Sequence, residues 1–270
     1  MVEIASDYQT PPVAGLKPDT YVEVVCELLW TGVRIPAPPP FTGEESMKIA
    51  CIADLHGYLP EELPEADVLV IAGDICPATD HSYEFQLEWL QGEFVPWAQD
   101  VSKKIEDIVM IAGNHDWIFE IFGTVGEFIE HDVDGFTYLQ GYGTVLEHDG
   151  KEYKFYGTPY TPEFRDWAFN SSTEAMKRHS AAMPGDADVI ITHGPPQLIL
   201  DVPGFIDSTE HCGCKYVDNA IRRIKPKAHI FGHIHGARGI HKLVDTVFVN
   251  ASYVDEQYEP HPEPIQVIEI

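Results

Sequence analysis

Positive charge is scarce in this chain. Its 270 residues carry 17 Lys and Arg against 44 Asp and Glu, a formal net charge of -27. Duplex nucleic acid is bound largely through Lys and Arg neutralising phosphates, so this composition makes a duplex an unfavourable partner. A small anionic ligand stays open only where divalent cations reverse the field locally. Long apolar runs are missing as well. None reaches the ~20 residues that span a bilayer, and no basic segment leads into an apolar core as in a signal peptide. Cysteine is sparse and irregular: Cys26, Cys51, Cys76, Cys212 and Cys214 give an odd count without a framework of spacings. That pattern points to a reducing cytoplasm rather than a disulfide scaffold. Cys212-Gly213-Cys214 is half a zinc site without its partner pair. Internal repeats, low-complexity tracts and long like-charge runs are absent too. With 44% hydrophobic residues, the chain can bury one large core but not two full enzyme domains.

Against that background, five short apolar runs stand out, because each ends in a side chain of metal-binding or catalytic type. Ile49 to Ala53 runs into Asp54-Leu55-His56, and Val68 to Ala72 into Gly73-Asp74. Ile108 to Ala112 leads to Gly113-Asn114-His115-Asp116, Val189 to Thr192 to His193-Gly194, and His229 to Phe231 to Gly232-His233-Ile234-His235. Runs of this length rich in Val and Ile read as buried strands. In open α/β sheets ligands bind beyond the carboxyl ends of the strands, so the spacing gathers Asp, Asn and His into one pocket. Any one segment alone would pass for turn chemistry. Together they place imidazoles and carboxylates, costly to bury unpaired, at the same end of five strands.

Ligand type narrows the chemistry. A carboxylate can bridge two cations ~3.5–4 Å apart while His, Asp and Asn fill the outer positions. In Asp54-x-His56 and His233-x-His235 the alternation of a strand lets both outer residues face the metals. Mixed imidazole, carboxylate and amide oxygen suits Mn, Fe or Zn better than Ca or a thiolate site. Two divalent ions are therefore expected, Mn foremost, with Fe, Zn or Ni as alternatives.

These five blocks resemble the signature of calcineurin-like metallophosphoesterases. A narrower resemblance, to metallophosphoesterase-domain-containing proteins grouped with class III cyclic nucleotide phosphodiesterases, is carried by four further segments. They are Tyr156 to Pro162, Trp167-Ala168-Phe169-Asn170, His211 to Cys214 and Val249 to Ser252. The resemblance spans residues 47–270 and implies a two-sheet βαββα sandwich with flanking helices. It assigns Asp54, His56 and His235 to one metal, Asn114, His193 and His233 to the other, and Asp74 to the bridge. His115 is implied to stay off the metals, facing the substrate as acid or charge stabiliser. Asp116 either orients His115 or serves the turn. Gly236 stands where the family often carries an acidic residue.

The function so implied is a metal-dependent phosphodiesterase hydrolysing a small (cyclic) nucleotide or similar diester by attack of a metal-bridging hydroxide. The alternatives are a low-activity nucleotide-binding or regulatory protein on the same fold, and a nuclease, which would want a basic groove. Asn114, His115, Trp167 and Arg238 are the expected substrate contacts. Trp167 belongs to an aromatic segment with Tyr160, Phe164 and Phe169 that could stack on a base or simply pack. Arg165 is a second candidate cation.

Residues 1–46 read as a separate extension. Tyr21 to Trp30 suits an amphipathic helix or an edge strand, and Pro36 to Pro40 forms a stiff connector. Its apolar residues need cover, which makes it a candidate contact between subunits of a homo-oligomer. Helices are expected over His81–Gln99, Trp117–Ile129, Thr173–Met183 and Val217–Ile224. Further strands are expected near 239–244, 247–250 and 265–270.

Overall fold

The Val- and Ile-rich runs form strands buried on both faces, and their two faces serve two different cores. A computed structural model describes residues 46–204 and 209–270. The N-terminal extension and the subunit contact expected through it lie outside the described residues. In chain order, β1 (Lys48–Ile52) and β2 (Val68–Ala72) precede α1 (Tyr83–Trp89), a π-helical turn (Leu90–Phe94) and α2 (Val95–Val101). Next come β3 (Asp107–Ile111), α3 (Trp117–Ile121), α4 (Val125–Asp132), β4 (Phe136–Tyr138), β5 (Tyr142–His148) and β6 (Lys151–Thr158). The short β7 (Thr161–Pro162) and β8 (Asn170–Ser171) pair with each other, followed by α5 (Thr173–Ala182), β9 (Val189–Thr192) and α6 (Lys215–Ile224). β10 (Ala228–Phe231), β11 (Gly239–Leu243), β12 (Thr246–Asn250) and β13 (Gln266–Glu269) complete the set.

One sheet has the order β13-β1-β2-β3-β4, the other β11-β12-β10-β9-β6-β5. Within the first, β1 to β4 run parallel and β13 is antiparallel at the edge. In the second, β12, β10, β9 and β6 run parallel, flanked by antiparallel β11 and β5. Alternation along β2 shows how the layers are filled. Val68, Val70 and Ala72 join the core between the sheets, facing Tyr153, Val189 and Ile230. Leu69 and Ile71 point the other way, into the core beneath α1 to α4. A third core packs α5 and α6, through Met176, Val217 and Ile221, onto Ile190 and Phe231. Helix, sheet, sheet and helix layers thus form the expected sandwich. No helix of the described residues is long and apolar enough to cross a membrane.

Two of the expected helices are interrupted. The His81–Gln99 segment is helical but passes through the π turn between α1 and α2. Pro96 lies at the start of α2 and has no N–H to return to the carbonyl four residues back, so the ladder shifts there. The Trp117–Ile129 segment splits into α3 and α4 because Phe122 leaves the helical region at φ -121°, ψ 86°. α3 is left with five residues, too few for the strong N-terminal dipole that one long helix would supply. Burial of Ile71 is complete. Ile71→Ala should therefore cost about 2–5 kcal/mol in denaturant-induced unfolding; a cost below about 0.5 kcal/mol, typical of surface sites, would contradict this packing.

Candidate metal centre

Because β1, β2 and β3 run parallel in one sheet, and β9 and β10 in the other, their carboxyl ends open on the same edge of the sandwich. Asp54 and His56 follow β1, Asp74 follows β2, Asn114 follows β3, His193 follows β9, and His233 and His235 follow β10. The chain turns sharply at these points. Asp54, His56, Asp74 and His233 all have left-handed backbone, with φ of 52°, 45°, 54° and 70°. Such values cost a non-glycine residue roughly 1–2 kcal/mol and concentrate at functional sites. Two glycines are dictated by crowding. A Cβ at Gly113 would overlap Asp74 Oδ1, and one at Gly232 would overlap Asp54 Oδ2.

Side chains converge in two overlapping groups, Asp54–His56–His235 and Asp54–Asp74–His193, each with its possible ligand atoms within 4.8 Å of one another. His56 Nε2 and His235 Nε2 are 3.3 Å apart, and His235 Nε2 is 3.6 Å from Asp54 Oδ1. Asp74 Oδ2 lies 3.3 Å from His193 Nε2 and 3.8 Å from His56 Nε2, so one oxygen faces both groups. Asn114 Oδ1 is 2.9 Å from His193 Nε2, and the His233 ring stands 5.0 Å from that of His193. Outer contacts set the tautomers. His193 Nδ1 is 2.9 Å from the Ala72 carbonyl and His235 Nδ1 is 3.0 Å from that of Asp255. A carbonyl accepts only, so Nδ1 carries the proton and the Nε2 lone pairs point inward.

Among the described residues, the ion-pair partners of Asp54 and Asp74 are histidines alone. Burial disfavours charge on both carboxyls, but His235 beside Asp54 and His193 beside Asp74 hold both below the usual carboxylate range. Burial also works against a second proton on His193, yet the Asp74 and Asp54 carboxylates raise its pKa to about 9, so the Nε2 lone pair becomes available as an entering cation displaces that proton. His56 and His233 are pushed down by burial to about 4, leaving neutral rings. Concentrated negative charge, inward lone pairs and oxygen donors form a donor set that fits a pair of divalent cations.

His115 stands beside this cluster. Its backbone N–H donates to Asp74 Oδ1 at 2.6 Å, and its ring lies 4.9 Å from His56 and 4.1 Å from Trp167. Asp116 does not orient it. The Asp116 carboxylate accepts the backbone N–H groups of Gly113, Cys76 and Ile75 at 2.8, 2.9 and 3.3 Å. That is a turn role, and burial and then Asp74 raise its pKa to about 6. Arg238, expected as a substrate contact, donates from Nη2 to the Glu263 carbonyl. In the aromatic segment, Phe169 is core, Tyr160 stacks on His179 at 3.8 Å, and Phe164 is exposed. Of that segment, Trp167 alone joins the site.

Four contributors carried no readable signal as site residues. Ser252 Oγ donates to Asp54 Oδ2 at 2.6 Å; it was noticeable only as the end of the Val249 to Ser252 block. His81 Nε2 is 3.1 Å from His115 Nδ1. Tyr258, 40% exposed, packs on His56 at 4.8 Å and His235 at 5.3 Å. Glu256 places Oε1 where a side chain at residue 236 would begin, so a carboxylate from a later loop fills the space beside Gly236.

A two-sheet sandwich with Asp, Asn and His gathered at its strand ends defines the metallophosphoesterase class. The family model described as calcineurin-like phosphoesterase matches residues 47–237, and the chain belongs to that family. It is 29% identical over 256 residues to metallophosphoesterase domain-containing protein 1 of Homo sapiens, covering 86% of this chain and 72% of that one. UPF0046 protein K07C11.7 of Caenorhabditis elegans is 31% identical over 240 residues, covering 84% of this chain and 77% of its own. Among solved structures, TT1561 of Thermus thermophilus shares the fold at a TM-score of 0.52 and 11% identity, covering 83% of this chain and 99% of its own.

Removing an outer hydrogen bond to a ligand weakens metal binding by roughly 10–100-fold. Ser252→Ala should show that loss in a Mn²⁺ titration of the folded protein. Unchanged Mn²⁺ affinity would argue that Asp54 needs no such support.

Proposed function

We propose that this metal-dependent phosphoesterase is a phosphodiesterase for a small diester, with a cyclic nucleotide as the leading substrate class. Asp54, His56 and His235 would hold one cation, Asn114, His193 and His233 the other, and Asp74 would serve both. The observation that carries the two-metal reading is the position of Asp74 Oδ2, facing His56 on one side and His193 on the other. Manganese is the proposed metal, given the mixed nitrogen and oxygen donors. When bound, the pair supplies an acidified water and neutralises charge developing at phosphorus.

The chain's own residues do the rest. His115 is beside the ligands without being aimed among them, and its ring is available to donate a proton to the departing oxygen. General acid help of that kind contributes roughly 10²–10⁴-fold, most for alkoxide leaving groups. Trp167, His115, His56 and Tyr258 form a row of neighbouring rings, 4.1, 4.9 and 4.8 Å apart in turn. Tyr258 ends that row as an exposed flat surface, suited to stacking on a nucleobase. The acidic composition favours a small substrate over a polyanion, and a bound metal pair would supply concentrated positive charge at the site itself.

The deciding assay offers the Mn²⁺-loaded protein bis-aryl phosphate, aryl phosphate, cyclic nucleotides and single-stranded DNA, each with and without chelator. Diester hydrolysis that the chelator abolishes is expected. Its absence from the whole panel would favour a low-activity binding protein. His115→Ala should retain its metals and lose roughly 10²–10⁴-fold in turnover of an unactivated diester; a wild-type rate there would remove His115 from the reaction.

A further inference from the structure

We propose that His81 is the positioning residue for His115, fixing its ring orientation and tautomer; this rests on the reading of His115 as proton donor. The loop after β2 reaches His115 twice. At the entrance to α1, His81 Nε2 meets His115 Nδ1 at 3.1 Å. One turn further on, fully buried Gln86 donates to the His115 backbone carbonyl at 2.7 Å and accepts from the Ile118 N–H at 3.0 Å. The second contact fixes the backbone of residue 115, and the first fixes its side chain.

Trp167 closes the arrangement. Its ring lies 4.1 Å from His115 and 5.3 Å from His81, edge-on to the latter. Its loop is tied to the same segment by the Ala168 N–H donating to the Asn114 carbonyl at 3.1 Å. Asp116, the neighbour that sequence would nominate as partner, has its carboxylate taken by three backbone amides. His81 therefore takes the place of a carboxylate, and it adds no negative charge beside a phosphate. With Nδ1–H of His115 donating to His81, the opposite atom, Nε2, is the one left for the substrate. The donating form of the ring carries hydrogen on both nitrogens. As the attacking hydroxide forms its bond to phosphorus and the old P–O bond breaks, the Nε2 proton passes to the departing oxygen. The neutral Nδ1–H tautomer left behind keeps its bond to His81 and takes its next Nε2 proton from solvent.

The test compares His81→Ala, His81→Gln, His115→Ala and the His81→Ala/His115→Ala pair, each loaded with metal. On the unactivated diester turned over fastest, His81→Ala should lower kcat roughly 10-fold, part of the acid contribution, with KM and metal stoichiometry unchanged. On bis-aryl phosphate, whose leaving group needs little proton assistance, it should change kcat less than about 2-fold. His81→Gln, whose amide oxygen can still accept from Nδ1–H, should recover most of the loss. In the His115→Ala background, removing His81 should have no further effect. Imidazole ¹⁵N spectra of the Zn²⁺-loaded protein should show His115 as the Nδ1–H tautomer, becoming a mixture in His81→Ala. Equal losses on both substrates, a loss that persists without His115, or an unchanged tautomer would each overturn the proposal. Slow His115→Ala with unimpaired His81→Ala overturns this inference alone; wild-type turnover by His115→Ala overturns the parent reading and this one with it.

Discussion

Two carboxylates, Asp54 and Asp74, are buried side by side, and among the described residues only histidines pair with them. The site is built around that constraint. An isolated carboxylate in such surroundings would protonate or draw in a cation. Here the neighbouring His235 and His193 hold both in the charged form, and hydrogen bonds orient them. The His233 N–H reaches both oxygens of Asp54 at 3.0 and 2.9 Å, Ser252 Oγ adds a third bond, and the His115 N–H fixes Asp74. The backbone amides of ligand-bearing loops thus orient the carboxylates those loops surround. Such mutual support explains why the arrangement tolerates left-handed backbone at Asp54, His56, Asp74 and His233.

That strain has to be offset elsewhere, and the sandwich does so. The strands carrying the ligands are the most deeply buried in both sheets, with β2, β9 and β10 covered along their whole length. Loops rooted in such strands hold unusual backbone with little freedom to relax. The same rooting places groups far apart in sequence within a few ångströms, such as Ser252 and Asp54, 198 residues apart. Precision at the centre follows from burial beneath it, while the row of rings above it ends at exposed Tyr258.

Sequence reading reached the strands and the inward-facing side chains because both leave local marks. Val-Ile-rich runs are continuous, and ligands follow them at one or two residues' distance. β5 left no such mark, since an edge strand exposing Tyr142 and Gly143 lacks the alternation that identifies strands. Of the two roles left open for Asp116, the turn has a physical basis: adjacency to His115 says nothing of side-chain direction, and three backbone amides take its oxygens. Arg238 was plausible as a rare cation near the last ligand, and its contact with the Glu263 carbonyl comes from a loop that sequence spacing does not connect to it. His81, Glu256 and Tyr258 were illegible because their roles come from loops folded back over the site, with no periodicity to follow.

The central claim is that Asp74 serves two cations at once. Anomalous X-ray scattering from crystals of the Mn²⁺-loaded protein tests it most directly. Two peaks ~3.5–4 Å apart, with Asp74 between them and Asp54, His56 and His235 around one, are predicted. A single peak, or a pair of peaks with Asp74 bound to neither, would contradict it.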